Sequence, residues 1–275
     1  MLPSFLLSLR EGLEAALIIG IVLGAVGRLN RPDLKPAVWR GAAFALVLSL
    51  LTGIGLSLLK IRFEGRAEEI FEGTAMLLAA GVLTWMILWM QQYGREIKQH
   101  LEAKTRLAAM QKGQGALFML AFLAVFREGV ELALFLLAAS LASGVTGTLV
   151  GGVIGLGAAV LLGWLVFTST RRLSIRAFFQ VTSILLILFA AGLVGLGVHE
   201  FSEAGWIPPL IEHVYDINFI IDENSQLGLI LKALLGYNGN PSLIEIIAYS
   251  GYFIVLGWLT LRNQRGRVEA GAQPA

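Results

Sequence analysis

Two five-residue segments gather most of the charge that lies inside apolar sequence. They are Arg10-Glu11-Gly12-Leu13-Glu14 and, 117 residues later, Arg127-Glu128-Gly129-Val130-Glu131. On a helix, residues three or four apart share a face. Glu11 and Glu14 therefore point one way, as do Glu128 and Glu131, with Arg10 and Arg127 each one turn before the second glutamate. If the two helices cross, four carboxylates converge and the two arginines balance part of their charge. The central Gly12 and Gly129 leave room for the two helices to approach closely. A cluster of this kind offers oxygen donors only. It suits hard cations such as Fe(III), Mn(II), Mg(II) or Ca(II) over Cu(I), with softer Zn a weaker match. The same carboxylates could relay protons, or each arginine could merely tie its own glutamate and hold the helices together. Repetition of the whole quintet favours a site over a tie.

The setting of these charges is apolar. Of 275 residues, 56% are hydrophobic and 15% charged, mean hydropathy is +0.75, and there are 32 glycines. Soluble domains average about 45–50% apolar and about 25% charged, so a soluble enzyme or a disordered chain is excluded. The absence of cysteine excludes disulfides, thiolate metal sites and thiol nucleophiles. Seven apolar runs are long enough to cross a bilayer, at about 3–27, 38–59, 72–92, 115–139, 147–169, 178–198 and 244–262. No basic segment precedes the first, which is expected to be a retained span. Connections after spans one, three, five and seven hold 15 basic residues, including Arg28, Arg95, Arg171 and Arg262; the others hold Lys60, Arg62, Arg66 and Lys232. Eleven acids lie on that second, base-poor side and four on the first. This bias puts the N-terminus outside and the C-terminus in the cytoplasm. The net charge of +2 is thus a topology signal and not a mark of nucleic-acid binding.

Span one runs inward and span four outward, so the two quintets stand in opposite orientation. The expected fold is an all-α membrane protein of seven transmembrane helices, an inverted 3+3 repeat plus a seventh helix, forming one integral membrane domain over 1–275. Repeat one covers about 1–112, repeat two about 113–200, an outer loop about 199–243 and the seventh span about 244–262, and in such repeats the site lies at the midplane. A weaker echo links Phe71-Glu72-Gly73-Thr74 with Phe179-Gln180-Val181-Thr182. Glycines at every fourth position (Gly147, Gly151, Gly155; Gly20, Gly24) are read as packing positions.

Further acids lie at the outer face. Glu68, Glu69 and Glu72 precede span three, and His199, Glu200 and Glu203 follow span six. Glu69, Glu72, Glu200 and Glu203 could gather cations at the mouth and hand them inward; otherwise they form a solvated rim. The apolar stretches Trp206 to Ile211 and Leu227 to Leu235 are expected as short surface helices.

With two R-E-x-x-E motifs in spans one and four of seven, the chain resembles the iron permease family. That family comprises the fungal oxidase-coupled permeases and the bacterial Efe-type uptake permeases. The similarity extends over nearly the whole chain, through the acidic entry to span three and His199-Glu200-Phe201-Ser202-Glu203-Ala204-Gly205. By length it is nearer the bacterial branch. The resemblance implies that Glu11, Glu14, Glu128 and Glu131 bind the transported iron, with Arg10 and Arg127 balancing charge. It implies entry as Fe(III) after an extracytoplasmic partner oxidises Fe(II), location in the cytoplasmic (inner) membrane, and iron as cargo with no permanent cofactor. Other cargoes (Mn, or Pb as linked to some relatives) and an intramembrane di-metal ferroxidase are the alternatives. Di-iron helix bundles use Glu-x-x-His pairs, and neither quintet contains His, so no enzyme activity is expected. No G-x-x-x-x-G-K-[ST] loop is present. A cation moving inward gains about 2.3 kcal/mol per charge per 100 mV, so the membrane potential supplies a substantial drive.

Overall fold

A computed structural model describes every residue except 94–96, 112, 169–174, 209–210, 224 and 272–275. Arg95, Glu96, Lys112, Arg171 and Arg172 of the charge count lie outside the described residues. The described chain is helical, with α1 (Leu2–Arg28), α2 (Lys35–Arg62), α3 (Arg66–Tyr93), α4 (Ile97–Gln111), α5 (Gly113–Ser143), α6 (Val145–Thr168), α7 (Ile175–Glu203), α8 (Gln226–Leu235) and α9 (Leu243–Gly271). Five stretches, falling on α2 with the turn before it, α3, α6, α7 and α9, are long and apolar enough to cross a membrane: Pro32–Lys60, Arg66–Gln91, Val145–Val166, Phe178–Glu203 and Leu243–Arg262. The other two long helices, α1 and α5, have 27 and 31 residues and carry the quintets, whose three charges apiece dilute their apolar character. Large apolar side chains stand exposed along α2 (Phe44, Leu46, Val47, Leu50, Leu51) and α6 (Val153, Val160, Leu161, Trp164). In water such faces would be costly; lipid tails solvate them. The chain is a multi-pass membrane protein.

Local chemistry sets the boundaries. Gly144, at φ 87°, makes the one-residue turn between α5 and α6, a conformation that costs a residue with a Cβ but not glycine. Ser225 caps α8 by accepting from the Gly228 amide at 3.0 Å, and Gly236 ends it at φ 67°. The expected helix at Leu227 to Leu235 therefore forms. The one expected at Trp206 to Ile211 does not among its described residues. Pro208-Pro209 removes two successive amide donors there and biases the preceding residue towards extended backbone.

The helices sort into two units, Met1–Glu64 with Trp89–Leu186 and Gly65–Leu88 with Ile187–Ala275. In the first, α1 packs along α6 and α2 along α5, while α1 also meets α5 and α4. Small residues set these contacts. A Cβ on Gly41 of α2 would strike the Phe118 carbonyl of α5, and one on Gly151 of α6 would strike the Met1 carbonyl of α1. Likewise Gly155 abuts the Phe5 carbonyl, while Ala45 packs with Phe122 and Val125. Backbones this close gain dispersion along their whole length. The expected role of Gly151 and Gly155 is met; Gly24 has nothing within 4 Å of a built Cβ and carries no such contact.

Helix α4, in what reads as a loop in the sequence, packs Leu101, Ala108 and Ala109 with Val22, Val26, Leu34 and Leu117. Its Glu102 pairs with Arg28 at 2.8 Å. In the second unit, Gly73 of α3 and Gly197 of α7 lie face to face. A Cβ on Gly73 would come within 2.9 Å of the Gly197 carbonyl oxygen and 3.2 Å of Glu200 Cβ.

Candidate metal site

Because α1 and α5 touch, the two quintets meet. Glu11, Glu128 and Glu131 each place a carboxylate oxygen within 4.8 Å of the others. Glu11 is 1% exposed, and Glu128 and Glu131 are almost as deeply buried. No donor among the described residues reaches either oxygen of Glu11, Oε2 of Glu128 or Oε2 of Glu131, while the Glu11 and Glu128 carboxyls stand within hydrogen-bonding reach of each other. Carboxyl groups buried without a donor are expensive to ionise unless a cation joins them, and three such groups facing one another describe a cradle for a cation.

The fourth carboxylate is not in this trio. Arg10 Nε donates to Glu14 Oε1 at 3.2 Å, one turn away on α1. Arg127 Nε donates in the same way to Glu131 Oε1 at 2.7 Å on α5 and lies 4.0 Å from Glu128. The two arginines thus repeat the same (i, i+4) contact in different surroundings. The Arg10 side chain is 0% exposed, with Nη2 donating to Met90 Sδ at 3.5 Å and Nη1 unpartnered. The Arg127 side chain is 41% exposed and lies over the Trp89 ring, 5.4 Å from its centroid. Trp89 and Met90, consecutive on α3, escaped the sequence reading. Only their place at the end of an apolar run, beside the enclosed Arg10 and the half-exposed Arg127, marks them out.

The motif glycines do not do what their position in the sequence suggests. Gly12 faces α6, where a Cβ would lie 2.7 Å from Ala159 Cβ, and Gly129 faces Ser49 of α2. Neighbouring helical residues diverge by about 100°. Once Glu11 and Glu128 turn towards each other, the glycines beside them must face third helices. They admit α6 and α2 and do not draw α1 onto α5.

In the second unit, Glu69, Glu72 and Glu203 all lie near enough to act electrostatically on Glu200, as the Gly73–Gly197 contact requires. His199, Glu200 and Glu203 occupy the last turns of α7. His199 is engaged elsewhere: its Nδ1 donates to Glu245 Oε1 at 3.0 Å and its Nε2 is 3.2 Å from Glu203 Oε1. Glu245 also accepts from Ser242 Oγ at 2.8 Å and from Asn238 Nδ2 at 2.7 Å. Ser242-Leu243-Ile244-Glu245 is a capping box at the start of α9, a signature legible in the sequence. It ties α9 to α7 through His199. Glu245→Gln keeps the size but weakens every one of these bonds, so a loss of about 2 kcal/mol is expected. Thermal unfolding of the detergent-solubilised protein measures it; an unchanged midpoint would mean the clasp carries no stability.

A bundle of long apolar helices with buried, facing carboxylates and guanidinium groups defines a class of polytopic permease-like membrane proteins. Within that class the chain belongs to the Iron permease FTR1 family, whose pattern matches residues 1–263. It is 34% identical to the ferrous iron permease EfeU of Yersinia pestis over 278 residues, covering 99% of each chain. It is 35% identical to the ferrous iron permease EfeU of Escherichia coli O6:K15:H31 over 257 residues, or 92% of this chain and 93% of the relative. No solved structure gives a significant match.

Proposed function

We propose that the protein imports iron across the cytoplasmic (inner) membrane, with Glu11, Glu128 and Glu131 as the first ligands of the passing ion. The observation that carries this reading is the buried trio of facing carboxylates with unpartnered oxygens, in a chain whose relatives are named iron permeases. Glu14 is the fourth ligand, held in reserve by Arg10 and released as the cation neutralises its neighbours. Arg10 and Arg127 balance the charge of the unloaded site. Iron is cargo here, and no permanent cofactor or catalytic step is invoked.

The chain runs seven times through the bilayer as an inverted 3+3 repeat plus a seventh helix, N-terminus outside. Matching contacts support the repeat. Phe118 follows Met1 by the same 117 residues that separate the quintets, and these two carbonyls receive Gly41 and Gly151, which stand 110 apart. The pair Gly12 on Ala159 and Gly129 on Ser49 repeats both offsets. The base-rich connections lie in the cytoplasm.

The donors are hard oxygens, which suit Fe(III). We therefore take iron to arrive as Fe(II), to be oxidised by an extracytoplasmic partner, and to enter as Fe(III). Direct passage of Fe(II) is the second reading, favoured by the word ferrous in the relatives' names. Proteoliposomes holding the purified protein, given radiolabelled iron as Fe(II) under reducing conditions or as chelated Fe(III), separate the two. Uptake of neither form would sink the proposal.

At the mouth, Glu69, Glu72, Glu200 and Glu203 collect the cation and pass it inward. Loss of one such charge weakens capture more than passage. Glu72→Gln with Glu200→Gln is expected to raise the half-saturating iron concentration several-fold and leave the maximal rate nearly unchanged. The concentration dependence of uptake checks this, and a fall confined to the maximal rate would rule out a collecting role.

A further inference from the structure

Among the described residues, eight buried polar side-chain atoms lack a hydrogen-bond partner. All but Asn240 Oδ1 belong to Arg10, Glu11, Glu128, Glu131, Ser8 and Ser49. The two serines are outside both motifs. Ser8 is 0% exposed and stands three residues, one turn, before Glu11 on α1. Ser49 is 8% exposed and sits on α2 against Gly129, the residue that follows Glu128: a Cβ built on Gly129 would overlap Ser49 Oγ and come within 2.5 Å of its Cβ.

Several other helical hydroxyls among the described residues satisfy themselves by donating to the carbonyl a turn back. Thr52 does so to Leu48 at 2.9 Å, Ser57 to Gly53 at 3.0 Å and Ser202 to Val198 at 3.1 Å. Ser8 and Ser49 do not. Helix packing does not require hydroxyls at these places either. Ser8 rests on Gly152 and Gly155, and the residue 117 further on, Val125, rests on Ala42 and Ala45, each 110 before those glycines. Ser49 rests on Gly129, and Ala159, 110 further on, rests on Gly12. Val125 and Ala159 make the same helix contacts with apolar side chains. A buried hydroxyl without a partner costs about 1–3 kcal/mol, and here packing gives no return for it.

We propose that Ser8 and Ser49 are the uncharged oxygens of the transport site, accepting hydrogen bonds from water that the cation retains as it passes the three carboxylates. A hard cation takes six or more oxygens. Three carboxylates leave positions to water, whose hydrogens need acceptors that add no charge. The proposal rests on the reading of the trio as the iron site and adds two residues to it that no motif contains.

The test is iron uptake against iron concentration in proteoliposomes bearing Ser8→Ala, Ser49→Ala, Ser8→Thr or Glu131→Gln, each with a thermal unfolding scan in the absence of iron. Each alanine variant is expected to raise the half-saturating concentration about tenfold, the effect of one lost hydrogen bond to a charged assembly. Its iron-free unfolding midpoint stays level or rises, because an unpaired hydroxyl has been removed. Ser8→Thr restores the wild-type concentration dependence, a branched side chain being accommodated at the matching Val125. Unchanged half-saturation in both alanine variants, with uptake lost in Glu131→Gln, overturns the proposal alone. Full uptake in Glu131→Gln overturns the site reading and the proposal with it. A drop in midpoint that accompanies the loss of uptake assigns the serines to packing and likewise overturns it.

Discussion

Glu11→Gln, Glu128→Gln and Glu131→Gln are each expected to lower iron uptake by at least about a hundredfold at matched protein levels. Even partners that only support a metal ligand are worth about 10–100-fold, and these three would hold the ion directly. Glutamine keeps the volume and one carbonyl acceptor while removing the charge that makes the cradle bind a cation. The geometry also predicts a ranking. Glu14 lies outside the trio and is held by Arg10 at 3.2 Å, so Glu14→Gln should cost less, about tenfold, since it acts after the first ligands. Radiolabelled uptake in proteoliposomes reads both. Equal losses at all four positions would mean that Glu14 binds as early as the others. Full uptake in all four would reduce the quintets to ties between helices.

Arg10→Ala is expected to remove most of the protein from the membrane, whereas Arg127→Ala leaves its level nearly normal. Both arginines make the same bond to a glutamate four residues on, and sequence makes them equivalent. Their surroundings do not. Arg10 is wholly enclosed, and breaking a buried pair by deleting one partner costs about 3–5 kcal/mol because the remaining charge is stranded. That is a large part of a typical protein's stability. Arg127 is 41% exposed and lies on Trp89, so solvent can take over part of its work and the loss should be about 1 kcal/mol or less. Quantitative blotting of membranes and unfolding midpoints in detergent check the contrast. Equal levels of the two variants would mean that Arg10 finds relief the structure does not display.

Apart from position 169, outside the described residues, the seven apolar runs each fall within one of the long helices, because length and hydropathy are properties that composition alone records. The quintets were legible for a related reason. A charge inside apolar sequence stands out, and an (i, i+4) spacing fixes Arg10 to Glu14 and Arg127 to Glu131 without any tertiary knowledge. The capping box at Ser242 and Glu245 is equally local, although its link to His199 is not.

What hydropathy and periodicity could not supply is which helix meets which, because the same apolar faces serve for lipid and for neighbours. Only the packing of α1 on α6 and of α2 on α5 turns Gly12 and Gly129 away from each other and leaves Glu11, Glu128 and Glu131 facing together without Glu14. Burial, too, belongs to the assembled bundle. It separates Arg10 from Arg127, brings Trp89 and Met90 to them from α3, and leaves the hydroxyls of Ser8 and Ser49 without partners. The sequence thus determined the long apolar helices, the motif charges and the pairing of each arginine with its glutamate, because these follow from composition and spacing along one helix. The tertiary structure alone decided which oxygens are left without partners, because that depends on what every neighbouring helix brings within hydrogen-bonding distance.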